Sequence, residues 1–243
     1  MWKWAALVLF LTSLAPLTVL KASGAGQSND DLNTVIAAMN SKAASFKNVS
    51  ADFDWETHNA AMAAIEKDKY KNEVQTGQSY FRRSGKDVEI MLDILEPNQA
   101  FPKQLLYRKG TLRVYEPGTN KITEHAVGNS RSDVDAGLSL GFGGRGDDLL
   151  KSYSVKWLGW EKVDGIRTGK MELAGKTPGL QKAFTRAVIW IDPERNVAIQ
   201  QQFFQEEGDY RLTHYRKITV NGDVSDENFK LRTKPSPEIA KIE

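Results

Sequence analysis

Three histidines are the obvious starting point for chemistry, and they do not converge. His58, His125 and His214 show no His-x-x-x-His or His-x-His spacing, so neighbouring ligands assemble no metal set. No Gly-x-Ser-x-Gly elbow occurs, and no local pattern pairs a nucleophile with a base. Asp52, Asp54 and Glu56 alternate on one strand face, the usual solvated face, with no pocket to shift a pKa. The absence of cysteine excludes disulfides, thiol catalysis, Cys-ligated metals and a lipidated export signal. The glycine-rich run Gly137-Leu138-Ser139-Leu140-Gly141-Phe142-Gly143-Gly144-Arg145-Gly146 invites a phosphate-loop reading. It lacks the context: no β-rich strand feeds it, and neither Lys-Ser nor Lys-Thr follows. A flexible lid fits better, with glycine freeing the backbone while Leu138, Leu140 and Phe142 act as apolar plugs seeking cover. The chain does not read as an enzyme, and no cofactor or metal is expected.

The remaining reactive feature is the pair Arg82-Arg83. Alternation along Gly77 to Arg83 sets Ser79, Phe81 and Arg83 on one face and Gln78, Tyr80 and Arg82 on the other. One arginine of the pair can therefore point toward apolar surface, while exposed arginines would pair with the acids of the next strand.

The elements that position these residues are mostly strands. Val49, Ala51, Phe53 and Trp55 share one face of a half-buried strand. After a turn at Ser84-Gly85-Lys86, Val88, Ile90, Leu92 and Ile94 face one way against Asp87, Glu89 and Asp93. Strands at Gln104–Arg108, Leu112–Glu116 and Lys121–Ala126 follow, broken by Lys109-Gly110 and Pro117-Gly118. Residues 129–151 interrupt the sheet, with a helical turn possible at Asp147–Leu150. Tyr153–Glu161 and Ile166–Ala174 form a hairpin with Trp157 and Trp160 on opposite faces. A three-stranded meander occupies Ala183 to Leu231, where Leu212, Ile218 and Val220 share a face opposite Arg211, Thr213, Lys217 and Thr219. Before the sheet, Asn29 or Asp30 caps a helix from Asp31, with Leu32, Val35, Ile36, Met39 and Phe46 as its apolar stripe. Residues 58–70 read equally as a short helix or an edge loop. The expected fold is thus mainly β with a few helices: a one-sided antiparallel sheet whose apolar face must be covered.

Composition agrees. A 40% hydrophobic fraction supplies a core and 26% charged residues argue against disorder. Setting aside Lys3 and Lys21 leaves the basic and acidic residues in balance, which gives no reason to expect a nucleic-acid partner. Lys3, the apolar run Trp4–Leu20 and the small residues Ala22-Ser23-Gly24-Ala25 read as a signal peptide cleaved after Ala25. The rival reading, an uncleaved anchor, is weakened by Thr12, Ser13, Pro16 and Thr18. The domain plan is an export signal over 1–25, one domain over 26–233 and a flexible tail over 234–243.

Several motifs in this order resemble the periplasmic outer-membrane lipoprotein carrier family, the LolA type. They are Ser45-Phe46-Lys47-Asn48-Val49-Ser50-Ala51-Asp52-Phe53 at the helix end and first strand, and Gly77 to Arg83 as a Gly-x-x-aromatic-x-basic-Arg strand. Leu105 to Tyr115 with Tyr115-Glu116-Pro117-Gly118, then Val188 to Asp192, then Asp226 to Leu231, complete the series. The resemblance implies an incomplete antiparallel β-barrel of about eleven strands with helices covering the concave apolar face. It implies a cavity for acyl chains, in which Phe53, Trp55, Phe81, Val88, Ile90 and Leu92 could face cargo. It assigns Arg83 the part of a latch on backbone carbonyls of the cover, in line with a guanidinium's need for partners near apolar surface. The implied protein is a soluble, monomeric periplasmic carrier. It takes acylated lipoproteins from an inner-membrane lipoprotein-releasing transporter to an outer-membrane acceptor. Related folds carry other lipids or glycolipids, or sense envelope stress, and both remain alternatives.

Overall fold

The computed structural model describes residues 24–84, 87–95 and 100–242. Most of the proposed export signal, the tip of the Ser84-Gly85-Lys86 turn and residues 96–99 lie outside the described residues. The alternating segments form strands β1 (Asn48–His58), β2 (Glu73–Ser84), β3 (Asp87–Ile94), β4 (Lys103–Arg108), β5 (Thr111–Glu116) and β6 (Lys121–Ala126). They continue as β7 (Tyr153–Val163), β8 (Ile166–Gly175), β9 (Arg186–Asp192), β10 (Val197–Phe204), β11 (Tyr210–Val220) and β12 (Glu238–Ile242). The α-helices are α1 (Gly24–Ala43), α2 (Ala60–Glu66), α3 (Arg131–Leu138), α4 (Gly146–Ser152) and α5 (Pro178–Ala183).

All twelve strands join one open sheet in the order β12-β6-β5-β4-β3-β2-β1-β11-β10-β9-β8-β7. Eleven pair antiparallel, as an incomplete barrel of about eleven strands requires, and helices pack on the apolar side. Strand β1 is the seam. It pairs with β2 on one side and β11 on the other, joining the β2–β6 meander to the β7–β11 meander. That topology leaves β6 near one edge and β7 at the other. The chain between them, residues 127–152, therefore has to cross the sheet, and it crosses over the apolar face. This strap carries α3, the glycine-rich run and α4.

Two layers of core result. Val35, Ile36 and Met39 of α1 pack with Leu140, Leu149, Met171, Leu173, Ile189 and Ile191. Phe46, just past α1, joins Val49, Phe81, Val88 and Ile90. On the other face of β2–β4, the chain after β11 folds back so that Phe229 is buried with Met91 and Leu106. Ion pairs clamp it there. Buried Glu89 accepts from Arg82 Nε at 2.6 Å and Arg108 Nε at 2.7 Å, while a second Arg82 nitrogen reaches Asp226 at 2.6 Å.

Several local expectations change. Among the described residues α1 covers Gly24–Ala43, so Asn29 and Asp30 lie within it; Asp30 O accepts from Thr34 Oγ1 at 2.8 Å, an in-helix bond. Residues 60–66 are helical because Asn59 Oδ1 caps Met62 N at 2.8 Å. The proposed flexible tail carries β12, parallel to β6, because Asn120 Nδ2 holds Pro235 O at 3.1 Å and Asn120 O accepts Glu238 N at 3.0 Å. Trp157 and Trp160 sit on the same face, 5.3 Å apart, because a bulge between Trp157 and Gly159 adds a residue and reverses the alternation. A second irregularity near Lys217 (φ 49°) does the same in β11: Thr213 and Tyr215 are buried, Ile218 packs with the core, and Leu212 turns to the other side.

Gly77 shows how tightly the sheet is packed. It stands opposite Phe53, and a Cβ there would lie 2.6 Å from Phe53 Cζ and 2.0 Å from Asp93 O. Gly77→Ala should lower stability by about 1–3 kcal/mol, the usual range for overpacking. Urea denaturation tests this: the midpoint should fall with little change in slope.

Candidate functional site

The apolar face of β1–β3, the strap and β10–β11 enclose a cleft of about 150 Å³. Its floor is Val49 and Trp55 from β1, Phe81 from β2 and Ile90 and Leu92 from β3. The strap roofs it with Leu138, Leu140 and Phe142. Phe142 is the wedge: its ring lies 5.5 Å from Phe81 and edge-on to Tyr215 at 5.3 Å.

The strap is fixed at both ends and stitched in the middle. At its start, Arg131 Nη2 meets Asp87 at 2.5 Å, and the hydroxyl of fully buried Tyr107 donates to Asp135 Oδ1 at 2.6 Å. At its end, Asn40 of α1 donates to Asp147 Oδ1 at 2.9 Å and accepts from Asp147 N at 3.2 Å. Between them, Gly143 N donates to Asn196 O at 2.9 Å and Ala198 N to Gly141 O at 2.7 Å. Buried Gln201 donates from Nε2 to Leu140 O at 2.6 Å and accepts from Tyr215 Oη at 2.8 Å. Burial pushes the Tyr215 phenol up, so this relay stays neutral and protonated across the physiological range.

The strap's glycines also permit close packing. Gly143 (φ 62°) leaves room for Phe46, whose ring atoms would lie 2.1 Å from a Cβ, and Gly141 (φ 80°) does so for Ala198 at 2.7 Å. They let the backbone approach closely enough to be stitched down.

Arg82 and Arg83 divide as alternation demands. Arg82 turns to Glu89 and Asp226, with its guanidinium 4.3 Å over the Phe229 ring. Arg83 turns to the strap, where Nη2 donates to Phe142 O at 3.4 Å. It lines a neighbouring hollow of about 350 Å³ together with Arg145, Asp148 and Tyr153, and that hollow shares Leu140 with the cleft. Desolvation lowers the Arg83 pKa, and Asp148 opposes the shift.

Of the residues singled out in the sequence, Trp55, Phe81, Ile90, Leu92, Leu138, Leu140 and Phe142 line the cleft. Phe53 and Val88 are buried in adjoining core, Phe53 beside Trp55 at 5.0 Å and Val88 in the cluster with Phe46 and Phe81. Reading by alternation missed Gln201, Phe203, Thr213 and Tyr215 in the cleft wall, and Arg211, which sits 4.5 Å over the Trp55 ring. The irregularities in β10 and β11 turn these side chains inward, and the positive φ of Lys217 carries no glycine to signal it. The histidines stand elsewhere. His58 stacks on Tyr210 at 4.7 Å, His214 meets Asp164 at 2.8 Å, and His125 is exposed on β6. No cluster of metal-binding side chains occurs among the described residues.

No family model matches this chain, and no curated protein does. Solved structures do. An uncharacterized conserved protein from Thermus thermophilus is 10% identical, covering 89% of this chain and 99% of that one at a TM-score of 0.50. MucB, in the Pseudomonas aeruginosa MucA/MucB complex, is 11% identical over 86% of this chain and 62% of that one, at 0.46. The LolA superfamily protein NE2245 from Nitrosomonas europaea is 11% identical over 82% and 97%, at 0.42. At such identities the likeness is one of fold alone.

Gln201→Leu keeps the side chain's bulk but strands the Leu140 carbonyl and the Tyr215 hydroxyl. It should cost about 1–3 kcal/mol. Amide exchange at Gly143 should accelerate more than at core positions of β9, which hydrogen-exchange mass spectrometry resolves.

Proposed function

We propose that this protein is a periplasmic carrier that binds the acyl chains of lipoproteins in the cleft under the strap and moves them between the inner and outer membranes. The observation that carries the reading is the plugged cleft: an apolar slot filled by the protein's own Phe142, whose carbonyl is hydrogen-bonded by Arg83. Its 150 Å³ falls below the roughly 300–1,000 Å³ of typical ligand sites, so cargo has to displace the plug. An acyl chain of 16 carbons gains about 12 kcal/mol on leaving water, at roughly 0.8 kcal/mol per CH₂. That is ample to lift an aromatic side chain and a few hydrogen bonds. Replacing the plug when cargo leaves keeps the apolar face covered in both states, which supports reversible loading. Among the described residues no helix is long and apolar enough to cross a membrane. In this reading residues 1–25 direct export, and the partners are an inner-membrane lipoprotein-releasing transporter and an outer-membrane acceptor.

The decisive experiment is native mass spectrometry with lipid extraction on the mature protein purified from its own envelope fraction. Stoichiometric acylated peptide supports the lipoprotein carrier. Free lipid or glycolipid would make it a carrier of that lipid instead. An empty protein that also refuses added acyl chains would end the transport reading. Arg83 has its own test. Arg83→Leu removes one bond that holds the plug, worth on the order of 1 kcal/mol. The variant should bind a neutral acyl probe, dodecyl maltoside below its micelle concentration, roughly fivefold more tightly than wild type. Unchanged affinity in equilibrium titration would remove Arg83 from the latch.

A further inference from the structure

The hollow beside the cleft differs from it in chemistry. Its wall includes Arg83, Arg145, Asp148, Ser139, Ser152 and Tyr153. Two buried donors in that wall have no hydrogen-bond partner among the described residues: Arg83 Nε and Tyr153 Oη. Tyr153 is only 2% exposed, so water does not freely satisfy its hydroxyl. Leaving such donors unpaired is costly, and both residues line the hollow, so a small turn of either side chain would present its donor to an acceptor that arrives from outside. The other charges there are already engaged: Arg145 with Asp147 at 2.9 Å, and Asp148 with Lys151 at 2.9 Å.

We infer that this hollow receives an anionic headgroup, a phosphate or carboxylate, of the amphiphile whose acyl chain occupies the cleft, with Arg83 Nε and Tyr153 Oη donating to its oxygens. This rests on the acyl-carrier reading and deepens it by naming the headgroup class. Leu140 lines both spaces, so headgroup and chain lie on either side of one strap residue. The same guanidinium reaches the Phe142 carbonyl over a long 3.4 Å. A charged acceptor makes a stronger bond than a neutral carbonyl, so the headgroup draws Arg83 away and frees the plug. Asp148 on the same wall weakens the site for a bare anion, which leaves the acyl tail to supply much of the affinity.

The test uses isothermal titration of the mature protein with dodecyl phosphate and dodecyl maltoside, both below their micelle concentrations, and with inorganic phosphate alone. Dodecyl phosphate should bind roughly tenfold more tightly than the maltoside, the ratio one charge-assisted hydrogen bond supplies. Tyr153→Phe, which removes only the unpartnered hydroxyl, should cut that advantage by at least about half while leaving maltoside affinity unchanged. Arg83→Gln should abolish it. Equal affinities in the wild type, or an advantage untouched by both substitutions, would overturn the headgroup site and leave the carrier reading intact. Inorganic phosphate binding as tightly as dodecyl phosphate would overturn it in favour of a free-phosphate site. Failure of both amphiphiles to bind would instead remove the carrier reading, and the headgroup with it.

Discussion

A single sheet with one apolar face is an unfinished core, and the structure is organised by the need to keep that face out of water. Burial of apolar area is the dominant favourable term in folding, so an uncovered concave face of this size would invite aggregation. The topology supplies the cover. Because β6 and β7 lie toward opposite edges, the chain that joins them has to traverse the sheet, and it does so across the apolar side. Helix α1 covers the part over β7–β10, and the strap covers the rest.

The strength of that cover is graded. The strap's two ends are held by side-chain bonds to buried or helical partners, Tyr107 to Asp135 and Asn40 to Asp147. Its middle is held by backbone bonds to β10 and by the Gln201 relay. Each such bond contributes on the order of 1 kcal/mol net. The contact of Arg83 with Phe142 O is the longest of the set. A segment anchored at both ends and lightly held between them suits local opening without unfolding of the sheet.

The opposite face is managed differently. There the closing segment buries Phe229 and sets acids and arginines into a network around Glu89, and Arg232 reaches Asp93 in the same way. Removing one member would strand a buried charge, so this side is rigid where the strap side can yield. The adjacent arginines Arg82 and Arg83 serve the two sides separately, because neighbouring residues on a strand point to opposite faces.

The strands up to β11 were legible in the residues alone, since period-two alternation and turn residues are local signals; β12, in the segment read as a flexible tail, and the pairing of β1 with β11 were not. Alternation also placed Trp55, Phe81, Ile90 and Leu92 on the apolar side, and the apolar plugs within the glycine run were visible as such. Tertiary structure decided the rest. Irregularities in β7, β10 and β11 reverse the alternation partway along each strand, so Trp160, Gln201, Thr213 and Tyr215 face where a uniform count would not put them. An extra residue in a strand is chosen by its pairing partner, and Lys217 in a left-handed conformation has no sequence mark. The glycines of the strap read as flexibility, yet their function in the fold depends on Phe46 and Ala198, which come from α1's exit and from β10. The amino-acid sequence by itself determined a sheet with an extended apolar face and a segment able to cover it; that the opposite face of β2–β4 is covered too came only from packing. Only the packed chain decided which side chains line the cleft, because contacts between residues distant in sequence set them.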